Sequence, residues 1–403
     1  MRKQKTAVFI DWYYPCFKGG GPVTSMVNMI ETLKEYVDFH VVTSDTDYCE
    51  SKPHPDITAD RFLRLRGICI LYLSKSRKLC RMFGVMKRLK HDDVWYINGM
   101  YSRYYSLLPL VLSRFYRVGS VVVAPRGMLS GQAFTAKSFR KKITVKLLRF
   151  LGFYRGVTFH VTSPQECADV KRVMGGDCKI VVAGNLPRYR QREEVPRREK
   201  RPGVLSLISV ARISPEKNLL FALEALTQLD GQVTFDICGP IFNADYWNKC
   251  RQVIASLPKN VKVNYLGSKN FTELRDCFEH SDFLLLPSTG ENFGHSILES
   301  LQNHCPVIIS DRTPWRGLEA ALAGWDLPLD DPDTFRRVLK RCVDMDDDEY
   351  QRWRAGAGAI WQEKLQLEKL LATYLGMLHT ACGSSEFADG RKMRHQQKAD
   401  MPR

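Results

Sequence analysis

Residues 287–315 read PSTGENFGHSILESLQNHCPVIISDRTPW. The apolar run DFLLLPS (282–288) that leads into it reads as a buried strand ending in a Pro-bearing loop. A helix follows, and two carboxylates, Glu291 and Glu299, stand eight residues apart around the turn that opens it. At that turn Asn292, Phe293 and Gly294 offer backbone N–H groups at the helix N-terminus. Unpaired donors and the helix dipole both favour negative charge at such a place. A diphosphate fits there, with Glu291 beside a neutral polyol and Glu299 a little over two turns farther along. His295 opens the helix and suits either a cap or a phosphate contact.

Working outward, the same alternation of strand and helix fills the chain. Its 403 residues exceed what one core usually holds, so two domains are expected. Residues 5–11, 38–44, 94–100, 120–128, 157–164 and 179–185 read as strands, with a helix at about 22–36. Residues 186–203, LPRYRQREEVPRREKRPG, are polar, charged and Pro-bearing, and read as a linker between domains at 1–185 and 204–346. Strands resume at 204–212, 233–240, 261–268, 282–288 and 306–311, with helices at 217–229, up to about 256, and at 271–280. Residues 347–382 have a helical pattern, and 383–403 read as a disordered tail. Strands apolar on both faces and separated by helices indicate parallel α/β sheets, which bind ligands at the carboxyl ends of their strands.

Charge is divided unevenly. Residues 1–200 hold 36 Lys and Arg against 17 Asp and Glu, and residues 201–403 hold 24 against 27. The first half is therefore +19, the second −3 and the chain +16, which points to an acidic partner for the first half alone. Nucleic acid and anionic lipid both meet that requirement on charge. Apolar runs such as LLPLVL (107–112) are too short to cross a bilayer, and no apolar leader follows the basic N-terminus, so secretion is not expected. The twelve Cys include no C-x-x-C pair. They are expected to be reduced thiols in a cytoplasmic protein rather than disulfides or a zinc site.

Two further motifs lie at strand ends. VARISPEKN (210–218) carries Arg212 and Lys217 across a tight Pro turn, and KGGGP (18–22) follows the first strand. Consecutive glycines let backbone approach a ligand closely, but their spacing is not that of a dinucleotide fingerprint. Together with Glu-x7-Glu, these strings resemble glycosyltransferase family 4, the retaining enzymes with the GT-B architecture, of the type that builds bacterial polysaccharides. The resemblance covers about residues 8–360 and is densest from 205 to 315, where YLGSKNFTEL (265–274) and Thr313-Pro314-Trp315 also match.

The resemblance implies two Rossmann-like domains facing across a cleft. It also implies transfer, with retention, from a nucleotide diphosphate sugar to a glycan or lipid-linked acceptor held by the N-terminal domain. Glu291 would hold the transferred sugar and Glu299 the ribose, while Arg212 and Lys217 would stabilise the charge growing on the leaving diphosphate. Gly20 and Gly21 would cover that diphosphate, Gly267 would pack against the base, and Asn292, Phe293 and Gly294 would supply backbone donors. No metal or other cofactor is expected. Asp45-Thr46-Asp47, a D-x-D string that binds metal in other glycosyltransferases, reads here as a turn. Arg126-Gly127 stands where other members carry a His, and His160, within a strand, reads as a core or rim residue.

Residues 137–153 form a basic amphipathic pattern, with Phe139, Ile143, Leu147, Phe150 and Leu151 on one face and Lys137, Arg140, Lys141, Lys142, Lys146 and Arg149 around it. Residues 74–90 add a second basic segment. This reads as contact with an anionic membrane surface, so the expected location is the inner face of the plasma membrane, peripherally bound. A surface helix docked on the first sheet is the other reading. A sugar-nucleotide epimerase of the same fold and a non-enzymatic nucleic-acid-binding protein are the rival functions. The first needs no basic face and the second leaves the two Glu and the Arg/Lys pair unexplained, so no nucleic-acid partner is expected.

Overall fold

A computed structural model of the chain describes residues 3–76, 78–130, 139–188 and 195–380. The expected tail, Lys137, and the middle of the expected linker lie outside these residues, as do the side chains of Phe139, Arg140, Lys141 and Lys142. The chain divides into two units, Met1–Tyr189 with Gln366–Arg403, and Arg190–Leu365.

The first unit is built on eight strands: β1 (Gln4–Phe9), β2 (Val37–Ser44), β3 (Phe62–Leu65), β4 (Ile68–Leu73), β5 (Val94–Asn98), β6 (Ser120–Ala124), β7 (Thr158–Val161) and β8 (Lys179–Val182). Their order in the sheet is β3-β4-β2-β1-β5-β6-β7-β8. All pairings are parallel except β3 with β4. Buried on both faces, β5 and the second half of β1 (Ala7–Phe9) read as apolar runs because helices cover each side. The helices are α1 (Gly21–Leu33), α2 (Lys78–Leu89), α3 (Leu108–Phe115), α4 (Phe139–Phe150) and α5 (Pro164–Met174).

In α4 the inward residues are Val145 and Leu148. Ile143, Leu147 and Phe150, with Leu151 just beyond the helix, are all exposed, Phe150 by 85%. The apolar face legible in the sequence is thus not the face that docks on the sheet.

The second unit is a six-stranded parallel sheet of β9 (Val204–Val210), β10 (Gln232–Cys238), β11 (Val261–Gly267), β12 (Phe283–Leu286), β13 (Val307–Ser310) and β14 (Gly324–Leu327). Its order, β11-β10-β9-β12-β13-β14, reverses direction between β9 and β12, as in dinucleotide-binding folds. Its helices are α6 (Leu219–Ala225), α7 (Ala244–Ser256), α8 (Phe271–Glu279), α9 (His295–Gln302), α10 (Pro332–Asp344) and α11 (Asp347–Leu365).

Two boundaries differ from the sequence reading. The helical stretch after 347 is two helices with different homes. α11 packs against α9, whereas α12 (Leu367–Thr380) returns to the first unit. There Gln4 Nε2 donates to Leu378 O at 2.8 Å and Tyr374 hydroxyl to Gly184 O at 2.9 Å. The expected linker is also tied down where it is described. Leu186 is buried in the first unit. In the second, Arg198 Nε meets the buried Asp282 carboxylate at 2.7 Å, and Lys200, only 4% exposed, donates to the carbonyls of Val204 and Arg201. A buried carboxylate needs a cation, and this charged segment supplies it.

Candidate active site

In the second unit, β9 and β12 are neighbours, and the chain leaves both at the same edge. After β9, Arg212 is followed by a single 3-10 turn, Pro215–Lys217, and by Asn218 in the left-handed region (φ 58°) before α6 begins. The sequence predicted a continuous helix from 217. Asn218 interrupts it, tolerating a conformation that β-branched residues avoid. The interruption leaves the Glu216 carbonyl free to accept from Thr289 N (2.9 Å) and from Ser288 Oγ (3.0 Å) in the loop after β12. Ser310 Oγ at the end of β13 bonds Ser288 O from the other side, and Glu291 N donates to Arg312 O at 3.3 Å.

This stitching brings together two residues 74 positions apart. Lys217 Nζ lies 2.5 Å from Glu291 Oε1, with side chains only 18% and 11% exposed. Arg212 is held differently. Its Nη2 and Nε sit 2.7 and 3.0 Å from Glu216 Oε1, and its guanidinium lies over the Phe242 ring at 5.0 Å. Burial raises the Glu216 carboxyl, but hydrogen bonds and the Arg212 charge outweigh it and leave it below its ordinary value. Both cations expected to face phosphate are therefore held by carboxylates of this edge. Glu216 is the one the sequence reading did not single out.

Gly294 caps α9 in the left-handed region (φ 79°), and a Cβ there would stand 2.7 Å from Ile297 Cδ1. Among the described residues the N–H groups of Asn292, Phe293 and Gly294 have no protein partner. Trp315, buried, braces this turn by donating from Nε1 to Phe293 O at 2.6 Å and by packing on the Phe293 ring. The helix starts only at His295, so half-buried Glu299 stands just over one turn into α9 rather than two.

At the next strand end the tight position is Gly239, not Gly267. Gly239 has φ 145°, and a Cβ there would lie 1.9 Å from Ala211 O. Its N–H donates to Gly267 O at 2.8 Å. Gly267 has φ 70° with open space around it. The Gly-Pro pair ending β10 was the available signal for Gly239.

Gly20 (φ 70°) and Gly21 open α1 in the first unit. Asp47, read from sequence as part of a turn, has a structural role there. Its carboxylate accepts from Phe17 N (3.0 Å), Lys18 N (3.3 Å) and Tyr48 N (2.6 Å), and so anchors the entry to the Gly-rich loop. Arg126 faces inward. Its three nitrogens donate to Asn98 Oδ1 (2.8 Å), Asn185 Oδ1 (2.9 Å) and the Tyr96 hydroxyl (3.1 Å), tying strand ends together. His160 is a core residue, fully buried between the Tyr96 hydroxyl at 2.5 Å and Ala183 O at 3.0 Å. Burial, with the Arg126 charge, lowers its pKa to about 3.

Residues 188–357 match the family model described as glycosyl transferases group 1. Over 164 residues, 39% of this chain and 30% of the relative, the sequence is 24% identical to the GtfA subunit of the UDP-N-acetylglucosamine–peptide N-acetylglucosaminyltransferase of Streptococcus agalactiae. Over 105 residues, 26% of this chain and 29% of the relative, it is 29% identical to the O-antigen chain mannosyltransferase RfbU of Salmonella typhimurium. The matches thus span about a third of the curated relatives' length. The crystal structure of Anabaena HepE, in complex with UDP and glucose, superposes with a TM-score of 0.69 at 16% identity, over 94% of this chain and all of that one. Residues 188–357 are thus similar to the glycosyl transferases group 1, and the chain as a whole has the GT-B fold.

Proposed function

We propose that the protein is a retaining glycosyltransferase that moves a sugar from a nucleotide diphosphate sugar to a glycan or lipid-linked acceptor in surface polysaccharide biosynthesis. The observation that carries this reading is the convergence of Arg212, Lys217 and Glu291 at one edge of a sheet, beside the open N-terminus of α9. A departing diphosphate gains negative charge, and fixed cations together with helix N–H groups stabilise it without reorganising. Glu291, held by Lys217, is placed to accept hydroxyl protons of the transferred sugar. Glu299 on α9 is assigned to the ribose, and the Gly239–Gly267 turn to the base. With two cations at the diphosphate, the reaction needs no metal. The activities of the two relatives, transfer of N-acetylglucosamine and of mannose, fit this class. The test is transfer of radiolabel from a panel of UDP-, GDP- and ADP-sugars to bacterial lipid extracts. One donor labels the extract with wild type and none with Glu291→Ala. Equal labelling by the variant contradicts the assignment.

The second part of the reading is peripheral binding to the cytoplasmic face of an anionic membrane. Ile143, Leu147, Phe150 and Leu151 form an exposed stripe, and the chain contains no Asp or Glu between Asp93 and Glu166. No helix among the described residues is long and apolar enough to cross a membrane. Apolar side chains that enter the interface and cations that meet anionic headgroups support surface binding together. Phe150→Glu is expected to release the protein from phosphatidylglycerol vesicles in a sedimentation assay, and unchanged co-sedimentation contradicts this part.

A further inference from the structure

A cavity of about 330 Å³ opens in the first unit, lined by Lys3, Lys5, Lys34, Asp38, Arg64 and Gly67. β1, β2 and β4 are parallel. Lys5 and Asp38 stand near the starts of β1 and β2, and Gly67 just before β4, so the cavity lies at the amino edge of the sheet. Parallel sheets of this kind take ligands at the opposite, carboxyl edge, where Gly20 and Gly21 follow β1. The six residues of β1 separate the two places by roughly 20 Å.

Most charges around the cavity are already paired. Lys34 Nζ meets Glu31 Oε2 at 2.8 Å and Arg66 O at 3.3 Å, and Arg66 Nη1 shares Glu31 at 3.6 Å. Lys3 Nζ donates to Lys34 O at 3.2 Å, with Glu35 Oε2 at 3.9 Å. Asp93 accepts from Lys5 N at 2.9 Å, and Asp92 pairs with His40 Nδ1 at 2.7 Å. Lys5 Nζ, the Arg64 guanidinium and the Asp38 carboxylate are different: among the described residues they have no ion-pair or hydrogen-bond partner. Lys5 and Asp38 are register partners on neighbouring strands, yet no ion pair forms between them. Arg64 stands opposite Cys69, and Cys69 opposite His40, so the period of two puts Arg64 on the same face as Asp38 and Lys5.

We propose that this cavity binds a phosphate group on a small hydroxyl-bearing carrier, with Lys5 and Arg64 on the phosphate and Asp38 on a hydroxyl. Four cations around one carboxylate favour an anion. The planar fork of Arg64 matches two phosphate oxygens, and Lys5 adds a point charge. Asp38 repels a bare phosphate, whereas a hydroxyl donates to it without adding charge. An ammonium on the carrier would meet the four cations. The volume is close to the lower limit of ligand pockets, about 300 Å³, and suits a glycerol or a single sugar ring. The carrier is either free in solution or the head group of a lipid, and the recognition chemistry is the same for both. None of the lining residues is assigned to the donor, so the site stands independently of the glycosyltransferase reading.

The test is titration calorimetry on the full chain in about 0.15 M salt, where a Debye length of about 8 Å screens diffuse attraction. The ligands are inorganic phosphate, glycerol 3-phosphate, glucose 6-phosphate and monomeric dihexanoyl phosphatidylglycerol. At least one hydroxyl-bearing phosphate is expected to bind saturably and more tightly than inorganic phosphate. Lys5→Ala and Arg64→Ala should each weaken it at least about fivefold, with the melting temperature near wild type. Asp38→Ala separates a built site from a diffuse basic patch. In a patch, loss of the carboxylate tightens every anion alike; in the proposed site it weakens the hydroxyl-bearing ligand relative to inorganic phosphate. Phosphatidylglycerol binding at least about tenfold tighter than glycerol 3-phosphate makes the occupant a lipid head group, and equal or weaker binding makes it a free phosphate. Either result supports the site. No saturable binding by any hydroxyl-bearing phosphate, unchanged binding in both Lys5→Ala and Arg64→Ala, or uniform tightening in Asp38→Ala overturns it. Loss of nucleotide binding by wild type would instead count against the glycosyltransferase reading.

Discussion

Replacing Lys217 by Met should separate what the Lys217–Glu291 pair does for stability from what it does for donor binding. At 2.5 Å the two charges attract by about 6–7 kcal/mol at an effective dielectric of about 20. Desolvation of side chains only 18% and 11% exposed takes back most of that. Removing the lysine alone leaves Glu291 half-buried without its partner, a loss of about 2–3 kcal/mol, below the 3–5 typical of a fully buried pair. For a unit of this size such a loss lowers the melting temperature by about 4–12 °C. Glu291→Gln should cost less, because an amide oxygen can still accept from Lys217. The double variant Lys217→Met/Glu291→Gln should recover at least about 1 kcal/mol relative to the sum of the singles. Donor-dependent transfer should not recover. It stays down at least a hundredfold, about 3 kcal/mol, in all three. Calorimetric melts joined to a radiolabel transfer assay read both quantities. Additive melting shifts, or wild-type transfer by Lys217→Met, would refute the reasoning.

Three other outcomes follow from the geometry. Arg212→Ala breaks an ion pair that is half exposed on both sides, so it should change stability by no more than about 1 kcal/mol while lowering transfer about a hundredfold. Equal losses in melting temperature and rate would contradict that. Gly239→Ala forces a Cβ against Ala211 O, whereas Gly267→Ala meets open space and bears only the strain of its positive φ, about 1–2 kcal/mol. Melts should show the first variant far less stable than the second. His160 has its pKa lowered from 6.5 to about 3, so the folded state refuses a proton that the unfolded chain accepts below pH 6.5. Its contribution is intact above pH 6.5 and is lost as pH falls towards 3, at about 1.4 kcal/mol per unit. His160→Asn should therefore flatten the fall in melting temperature between pH 6.5 and 5, and parallel curves would refute this.

Both sheets were legible because central strands such as β5, β12 and β13 are buried on both faces and so appear as continuous apolar runs. The elements that escaped are short or locally unusual. The β3–β4 hairpin turns through Arg66 and Gly67, both at positive φ, where sequence signals favour Asn-Gly or Asp-Gly. β14 is four residues long. α11 and α12 are separated only by Gln366 in the left-handed region, which no residue preference announces. At the site, Lys217 and Glu291 were both named from the string, but their contact depends on the Glu216 carbonyl and on Ser288 and Ser310, tertiary bonds that no spacing displays. Glu216 was passed over because a glutamate in a first helical turn reads as dipole decoration. On α4 the amphipathic pattern identified the stripe, but only packing shows that Val145 and Leu148 hold the sheet while the larger apolar side chains stay outside.

The central claim is a nucleotide diphosphate site at the β9–β12 edge, and titration calorimetry of UDP, GDP and ADP in EDTA, on wild type and Glu299→Ala, tests it most directly. The account predicts that wild type binds one of the three selectively without metal, and that the variant binds it at least tenfold more weakly, about 1.4 kcal/mol. Binding of none of them, or equal binding by both proteins, would contradict it.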